Sequence, residues 1–168
     1  MKRILSVRAA VAALIALSAA ACGDDDSPTG NGDLNFPELS AAVRDAFCVR
    51  SNATAGDTRQ GGIAATDCDA DDVEPGDEGY FEVYVVKVAT NRNVTFTVSS
   101  TFDSYLTLLR LDSFTATTAN VTFLDDDDDS AGNLDARLTF ALQAGTDYVI
   151  AVAGFDYTQT GTYSLTIQ

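Results

Sequence analysis

The sequence contains no histidine and no tryptophan among its 168 residues. Without histidine, the Ser-His and Cys-His pairs of nucleophilic hydrolases are excluded, as is an imidazole general base. A soft-ligand metal site at the cysteines is disfavoured for the same reason, because no histidine completes the ligand set. Without tryptophan, the chain lacks the largest aromatic surface on which a ligand can stack.

Basic residues are also scarce: 10 Lys and Arg stand against 25 Asp and Glu, a formal net charge of −15 at pH 7. Nucleic acid is excluded as a partner, because binding phosphates needs clustered Lys and Arg. The only lysine after the N-terminal segment is Lys87, in mid-strand among apolar residues, and no glycine-rich phosphate loop precedes a helix. We therefore interpret the chain as a non-enzyme, with an aspartate pair acting on a glycoside as the catalytic alternative.

The N-terminus has the pattern of an export signal. Lys2, Arg3 and Arg8 form a positive front, and the apolar stretch Ala9–Ala21 is too short to span a bilayer comfortably. Cys22 follows, so residues 1–21 are predicted to be a signal peptide and Cys22 the lipidated N-terminus of a lipoprotein. The alternative is ordinary cleavage after Ala21, which leaves an unlipidated thiol.

Lipidation of Cys22 predicts a protein of the bacterial cell envelope, held to the membrane by its lipid, with the side of the membrane left open. Residues 22–35 are predicted to be a flexible tether, because they contain almost nothing apolar to bury. The two remaining cysteines, Cys48 and Cys68, are predicted to form a structural disulfide in this oxidising compartment.

The periodicity of apolar residues then changes along the chain. Residues 36–55 are predicted to form a short amphipathic helix and a connector, with Leu39, Val43 and Phe47 at helical spacing. From residue 56 to residue 168 the period becomes two, over eight short segments separated by Gly, Asn, Asp and Thr turns. This pattern predicts one all-β domain, an antiparallel β-sandwich or jelly roll of about eight strands preceded by one short helix.

Four motifs of this region, in order, are "FDSYL" from Phe102, the acidic stretch Asp125–Asp129, "AGTDYVIAV" from Ala144 and the closing "GTYSLTI". With these motifs the chain resembles the bacterial pre-peptidase C-terminal domain, which is similar to the collagen-binding domains of clostridial collagenases. The resemblance implies a β-sandwich and a non-catalytic accessory module. It also implies binding of calcium in some members and of matrix protein or polysaccharide in others.

The aspartate run in "FLDDDDDSAGNLDARL" is the first candidate metal site. In an extended loop alternate side chains point the same way, so three of its carboxylates, on Asp125, Asp127 and Asp129, are expected to face one point. Asp103 and Asp135 border neighbouring strands and are expected to join them. Such oxygen ligands suit calcium, and the alternative is a solvated acidic loop without a metal.

A second candidate calcium cluster is "DCDADDVEPGDE". Its ligands would be Asp67, Asp69, Asp71 and Glu78, at the first, third, fifth and twelfth places of a calcium loop. Asp72 stands where such a loop needs glycine, so a solvated loop is again the alternative.

A binding module is therefore the leading functional hypothesis. Of six tyrosines, only Tyr157 in "GFDYTQTG" is expected in an exposed loop, where it is a candidate ligand-binding residue; the alternative is a loop tyrosine without a partner. The first hypothesis is a lipid-anchored module that binds extracellular protein or polysaccharide and is stabilised by calcium. The second is a structural or assembly subunit of an envelope complex without metal, and the third a small carboxylate hydrolase.

Overall fold

The structure is a computed structural model, and it describes residues 37, 39–70, 79–114 and 119–168. The predicted signal peptide, Cys22 and the tether lie outside the described residues, as do Asp71 and Glu78. No helix within the described ranges has the length and apolar character needed to cross a membrane.

The described part of the chain contains one short helix followed by ten strands. Their bounds are α1 Ala41–Ala46, β1 Val49–Thr54, β2 Thr58–Ile63, β3 Cys68–Asp69, β4 Tyr80–Lys87, β5 Arg92–Ser100, β6 Ser104–Phe114, β7 Ala119–Asp127, β8 Arg137–Leu142, β9 Tyr148–Gly154 and β10 Gly161–Ile167. The prediction of an all-β sandwich preceded by a short helix is confirmed.

The strands form two sheets. The first has the order β1-β4-β9-β6-β7, with β3 also paired to β4, and the second has the order β2-β10-β5-β8. All neighbouring pairs are antiparallel except β1 and β4, which run parallel.

The eight predicted strands correspond to β2 and β4–β10, while β1 and β3 are additions. Strand β1 was interpreted as a connector because its sequence, "VRSNAT", does not alternate; only Ala53 among its side chains is fully buried. Strand β3 has two residues and no periodicity to detect. Both strands are formed by pairing with β4, which local sequence does not encode.

The core lies between the two sheets and is built from alternating positions. Val94, Phe96 and Val98 of β5 are completely buried, and Leu165 and Ile167 of the neighbouring strand β10 lie beside them in the same cluster. This alternation confirms the predicted inward faces of both strands.

The strand register brings four loops to one end of the sandwich. Ser104 at the start of β6 pairs with Gly154 at the end of β9, and Gly161 at the start of β10 pairs with Ile63 at the end of β2. The loops 64–67, 101–103, 128–136 and 155–160 therefore emerge together, and we call this the acidic end. The loops 55–57, 88–91 and 143–147 form the opposite end.

The predicted disulfide between Cys48 and Cys68 is confirmed, with a Cα–Cα distance of 5.7 Å and a sequence separation of 20. It ties the start of β1 to β3 at the acidic end. Closing a loop of this size stabilises a fold by ~3 kcal/mol in the chain-entropy model.

Candidate functional site

Asp103 lies in the loop between β5 and β6, against the loop that follows β9. The backbone N–H of Phe155 donates to the carbonyl oxygen of Asp103 at 2.8 Å, so the two loops are joined directly. This contact brings the carboxylate of Asp103 close to that of Asp156.

The carboxylate of Asp103 is partly buried at the acidic end. Its Oδ1 atom is shielded from solvent and has no hydrogen-bond partner. Burial is the main cause that raises the pKa of Asp103, and the negative charges of Asp129, Asp128 and Asp156 raise this pKa further. Within the described ranges none of these four carboxylates forms an ion pair, so their mutual repulsion is not offset by a protein cation.

The aspartate run is not wholly a loop, which corrects the sequence analysis. Strand β7 continues through Asp127, where Asp125 pairs with Leu108 and Asp127 with Leu106. Asp126 points to the other face and accepts a hydrogen bond from the hydroxyl of Tyr105. Pairing with β6 overrides the poor strand propensity of aspartate.

Asp127 has a structural role in the turn that follows β7. Its Oδ1 atom accepts hydrogen bonds from the backbone N–H of Ser130 at 3.0 Å and of Arg137 at 2.7 Å, and the Ser130 hydroxyl donates to Oδ2. Since Arg137 begins β8, this carboxylate links the edges of the two sheets.

Asp135 is also held by protein donors. Its Oδ1 atom accepts from the backbone N–H of Ser100 at 2.9 Å and from the Ser100 hydroxyl at 3.0 Å. Of the five predicted calcium ligands, the structure therefore brings together Asp103 and Asp129, and gives Asp127 and Asp135 other partners.

Asp128 and Asp156 join Asp103 and Asp129, although the sequence analysis selected neither for this site. The available signal was the position of Asp156 in a polar loop beside Tyr157. No three acidic or cysteine side chains in the described part of the chain lie ready to hold a metal ion. The Oδ1 atom of Asp103, which is buried and has no partner, could coordinate a cation. The other ligands would have to move closer to complete the site. Calcium binding therefore stays a prediction.

The second predicted cluster is only partly described. The Oδ2 atom of Asp67 accepts a hydrogen bond from the backbone N–H of Ala64 at 2.7 Å, so this carboxylate closes its own turn. Asp69 lies in β3, while Asp71 and Glu78 fall outside the described residues.

A cavity of about 540 Å³ opens at the acidic end beside Asp69. It is lined by Ala65, Asp69, Gly79, Tyr80, Tyr157, Thr158 and Thr160. Tyr157 is 56% exposed, as expected from the sequence, and Tyr80 is partly buried against the core. The described lining of the cavity thus includes two tyrosines and one aspartate.

The loop that carries Tyr157 is held in place by short contacts. Gln159 donates its backbone N–H to the carbonyl of Asp156 at 3.0 Å and accepts from the N–H of Asp156 through Oε1 at 3.1 Å. A Cβ added at Gly79, where φ is +121°, would come within 3.3 Å of the Cα of Tyr157. The backbone of Gly79 therefore packs directly against this loop.

Glu82 forms a buried polar network that the sequence analysis did not identify. It is 2% exposed, and its Oε2 atom accepts a hydrogen bond from the hydroxyl of Tyr163 at 2.7 Å. Because Tyr163 has one hydroxyl proton, the hydroxyl of Tyr84, 2.9 Å away, donates to Tyr163. The network joins β4 of one sheet to β10 of the other.

Burial is the main cause that raises the pKa of Glu82, while the hydrogen bond from Tyr163 and the charge of Arg50 act in the opposite direction. The Nε atom of Arg50 lies 3.2 Å from Oε1 of Glu82. The signal in the sequence was a lone glutamate at an inward-facing position of "YFEVYVV".

No family model and no curated protein matches the chain. A pre-peptidase C-terminal domain of a collagenase from Bacillus anthracis is 18% identical, with a TM-score of 0.48, over 71% of this chain and 96% of that one. Its family is the one that the sequence resembles.

Two further solved structures are similar. PliG of Aeromonas hydrophila, a periplasmic inhibitor of g-type lysozyme, is 13% identical with a TM-score of 0.43, over 70% of this chain and 98% of that one. CorA, a surface-associated copper-binding protein of Methylomicrobium album BG8, is 10% identical with a TM-score of 0.45, over 72% and 98%. At such values the similarity concerns the fold, and function is argued from the residues of this chain.

Proposed function

We propose that this protein is a non-catalytic binding module of the bacterial cell envelope, anchored through a lipid on Cys22, and that its acidic end binds calcium. The observation that carries the calcium proposal is the carboxylate of Asp103, with an oxygen that is buried and without a partner. The lipid anchor is supported by the signal-like sequence that ends at Cys22.

Repulsion among carboxylates supports a cation as the missing partner. Asp128, Asp129 and Asp156 all raise the pKa of Asp103, which means that each is close enough to oppose its ionisation. A buried carboxylate without a hydrogen bond or an opposite charge destabilises a fold. Calcium accepts six to eight oxygen ligands and would offset this repulsion.

The ligands would come from three loops, which are already adjacent. Asp103, Asp129 and Asp156 would supply one carboxylate each, from the loops 101–103, 128–136 and 155–160. A cation held among them would link these three loops and raise the free energy of unfolding.

A carboxylate hydrolase has less support from the described residues. Such an enzyme needs two carboxyl groups facing one cleft, whereas the cavity beside Tyr157 is lined by the single carboxylate of Asp69. Glu82 has the raised pKa of a general acid, but it is buried and bonded to Tyr163 and Arg50. Its contacts fit a structural role between the sheets.

Calorimetric titration of the purified mature protein with calcium tests the proposal. We expect heat of binding for the wild type and its loss when Asp103 and Asp129 are both changed to Asn. Asp112→Asn is the matched control, because it removes one carboxylate that lies on β6 beside Arg110 and away from the acidic end. Absence of heat with the wild type, or equal heat with the double variant, would contradict calcium binding at this site.

A further inference from the structure

We propose that the cavity beside Tyr157 binds the cationic side chain, lysine or arginine, of a partner protein. This inference rests on the proposed function as a binding module and names the chemistry of the partner. The site is built from Tyr157, Tyr80 and Asp69, on three different segments of the acidic end.

The lining of the cavity has the chemistry of a cation site. An ammonium or guanidinium group is attracted to the face of a tyrosine ring, and a neighbouring carboxylate adds a charge-assisted hydrogen bond. The long apolar stems of lysine and arginine pack on aromatic surface while the charge reaches a polar group. Tyr157 and Tyr80 provide the rings, and Asp69 provides the carboxylate.

The charge of the surroundings favours a cation over an anion or a neutral ligand. Among the described residues that line the cavity, none is Lys or Arg. The chain carries a formal net charge of −15, and the uncompensated carboxylates of Asp103, Asp128, Asp129 and Asp156 lie at the same end as the cavity. Such a field attracts basic partners and accelerates their association.

The loop that carries the exposed Tyr157 is held in position by hydrogen bonds before any ligand arrives. Hydrogen bonds between Asp156 and Gln159 close the loop, and the backbone N–H of residue 155, which any side chain there retains, ties it to the loop that contains Asp103. A Cβ at Gly154 would come within 2.7 Å of the Cβ of Gln159, so the side chain of Gln159 packs on the base of the loop. Preorganisation of this kind reduces the entropy lost on binding.

The test uses three short peptides and one sugar on the isotope-labelled mature protein. The peptides are acetyl-Gly-Lys-Gly-amide, acetyl-Gly-Arg-Gly-amide and the matched neutral acetyl-Gly-norleucine-Gly-amide, and the sugar is a neutral N-acetylglucosamine trimer. Amide chemical shifts of Gly79, Tyr157, Thr158 and Thr160 report occupation of the cavity. We expect the lysine and arginine peptides to shift these amides, and norleucine and the sugar to leave them unchanged.

Variants of Tyr157 test whether its aromatic ring binds the peptide. Tyr157→Ala is expected to weaken binding of the arginine peptide about tenfold, whereas Tyr157→Phe, which keeps the ring, is expected to stay within about threefold of the wild type. Phe155→Ala is the matched control, because Phe155 is an exposed aromatic residue of the same loop that does not line the cavity. Its affinity for the peptide is expected to be unchanged.

Several results would overturn the inference. Equal shifts with norleucine, shifts with the sugar alone, or peptide shifts confined to the loop around Asp103 would each assign the cavity to something other than a cationic side chain. So would full affinity in Tyr157→Ala. Each titration is run with calcium and with a chelator, so loss of peptide binding with retained calcium binding removes this inference and leaves the calcium proposal standing.

Discussion

Aspartate side chains have different partners at the two ends of the sandwich. At the opposite end, Asp57 lies 2.8 Å from Arg59, and Asp147 lies 2.8 Å from Lys87. At the acidic end, Asp103 has a buried oxygen without a partner and a pKa raised by neighbouring carboxylates. Asp57 and Asp147 are therefore neutralised by a cation of the chain, whereas Asp103 has no such partner among the described residues.

The acidic end itself contains both kinds of aspartate. Asp127 and Asp135 accept backbone N–H groups and fix the ends of β7 and β5. Asp128 and Asp129 follow Asp127 directly in the chain, and Asp103 lies in the loop 101–103. Substitutions at the two kinds of aspartate are expected to change the stability of the protein in opposite directions. They are also expected to differ in whether calcium alters that change.

The largest expected effect comes from the contact between the sheets, on which both ends depend. In Gly61→Ala, the added Cβ would lie 2.3 Å from Cζ of Tyr163 and 2.8 Å from Oε2 of Glu82, both buried. We expect the free energy of unfolding to fall by ~3 kcal/mol, because neither side chain has room to move. Urea denaturation measures the change; Gly62→Ala, with its nearest contact at 3.3 Å, is the milder control.

The second largest decrease in the free energy of unfolding is expected from loss of a structural aspartate at the acidic end. Asp127→Ala removes the acceptor of the N–H groups of Ser130 and Arg137 and should lower the free energy of unfolding by ~1–2 kcal/mol. The loss should be equal with calcium and with chelator, since these bonds are internal to the protein. A loss seen only with calcium would place Asp127 among the ligands instead.

At the opposite end, removal of a paired charge is expected to destabilise. Asp147→Asn takes away the negative partner of Lys87, whose side chain is only 12% exposed, and should lower the free energy of unfolding by ~1 kcal/mol. Asp112→Asn, at a more exposed pair with Arg110, should change the free energy of unfolding by less than Asp147→Asn does. Equal values for the two variants would show that burial does not strengthen the pair at Lys87.

The smallest expected effect is the pH dependence of stability that Asp103 causes in the absence of calcium. Because the folded pKa of Asp103 is raised, its carboxyl contributes stability that is present below the unfolded pKa and is lost as pH rises through the folded pKa. In chelator, Asp103→Asn should therefore melt above the wild type at pH 7, by a few degrees at most, and the gap should close toward pH 3. Scanning calorimetry across this range measures it, and a gap that widens in acid would contradict the raised pKa.

The strands and the disulfide could be predicted from the sequence because their determinants are local. Val94, Phe96 and Val98 alternate on a half-buried strand, and two cysteines remain after Cys22. The parallel pairing of β1 with β4 could not be predicted, since it depends on residues more than 30 positions apart. Sequence spacing had suggested a shared site for Asp127 and Asp129, and only the turn around Ser130 shows that Asp127 is already bonded.

Asp156 illustrates the same limit at the candidate site. It is 53 residues from Asp103, and the two meet because β6 and β9 are paired and their loops are joined through Phe155. Sequence composition showed that the chain is acidic, but the fold decides which carboxylates lie together.

We propose that repulsion among its own carboxylates destabilises the acidic end until calcium binds, and thermal unfolding of Asp103→Asn with and without calcium tests this proposal most directly. With chelator at pH 7 the variant should melt above the wild type, because one repelling charge is gone. With saturating calcium the order should reverse, because the wild type gains stability from binding that the variant has lost. The same order of melting temperatures in both conditions would contradict the claim.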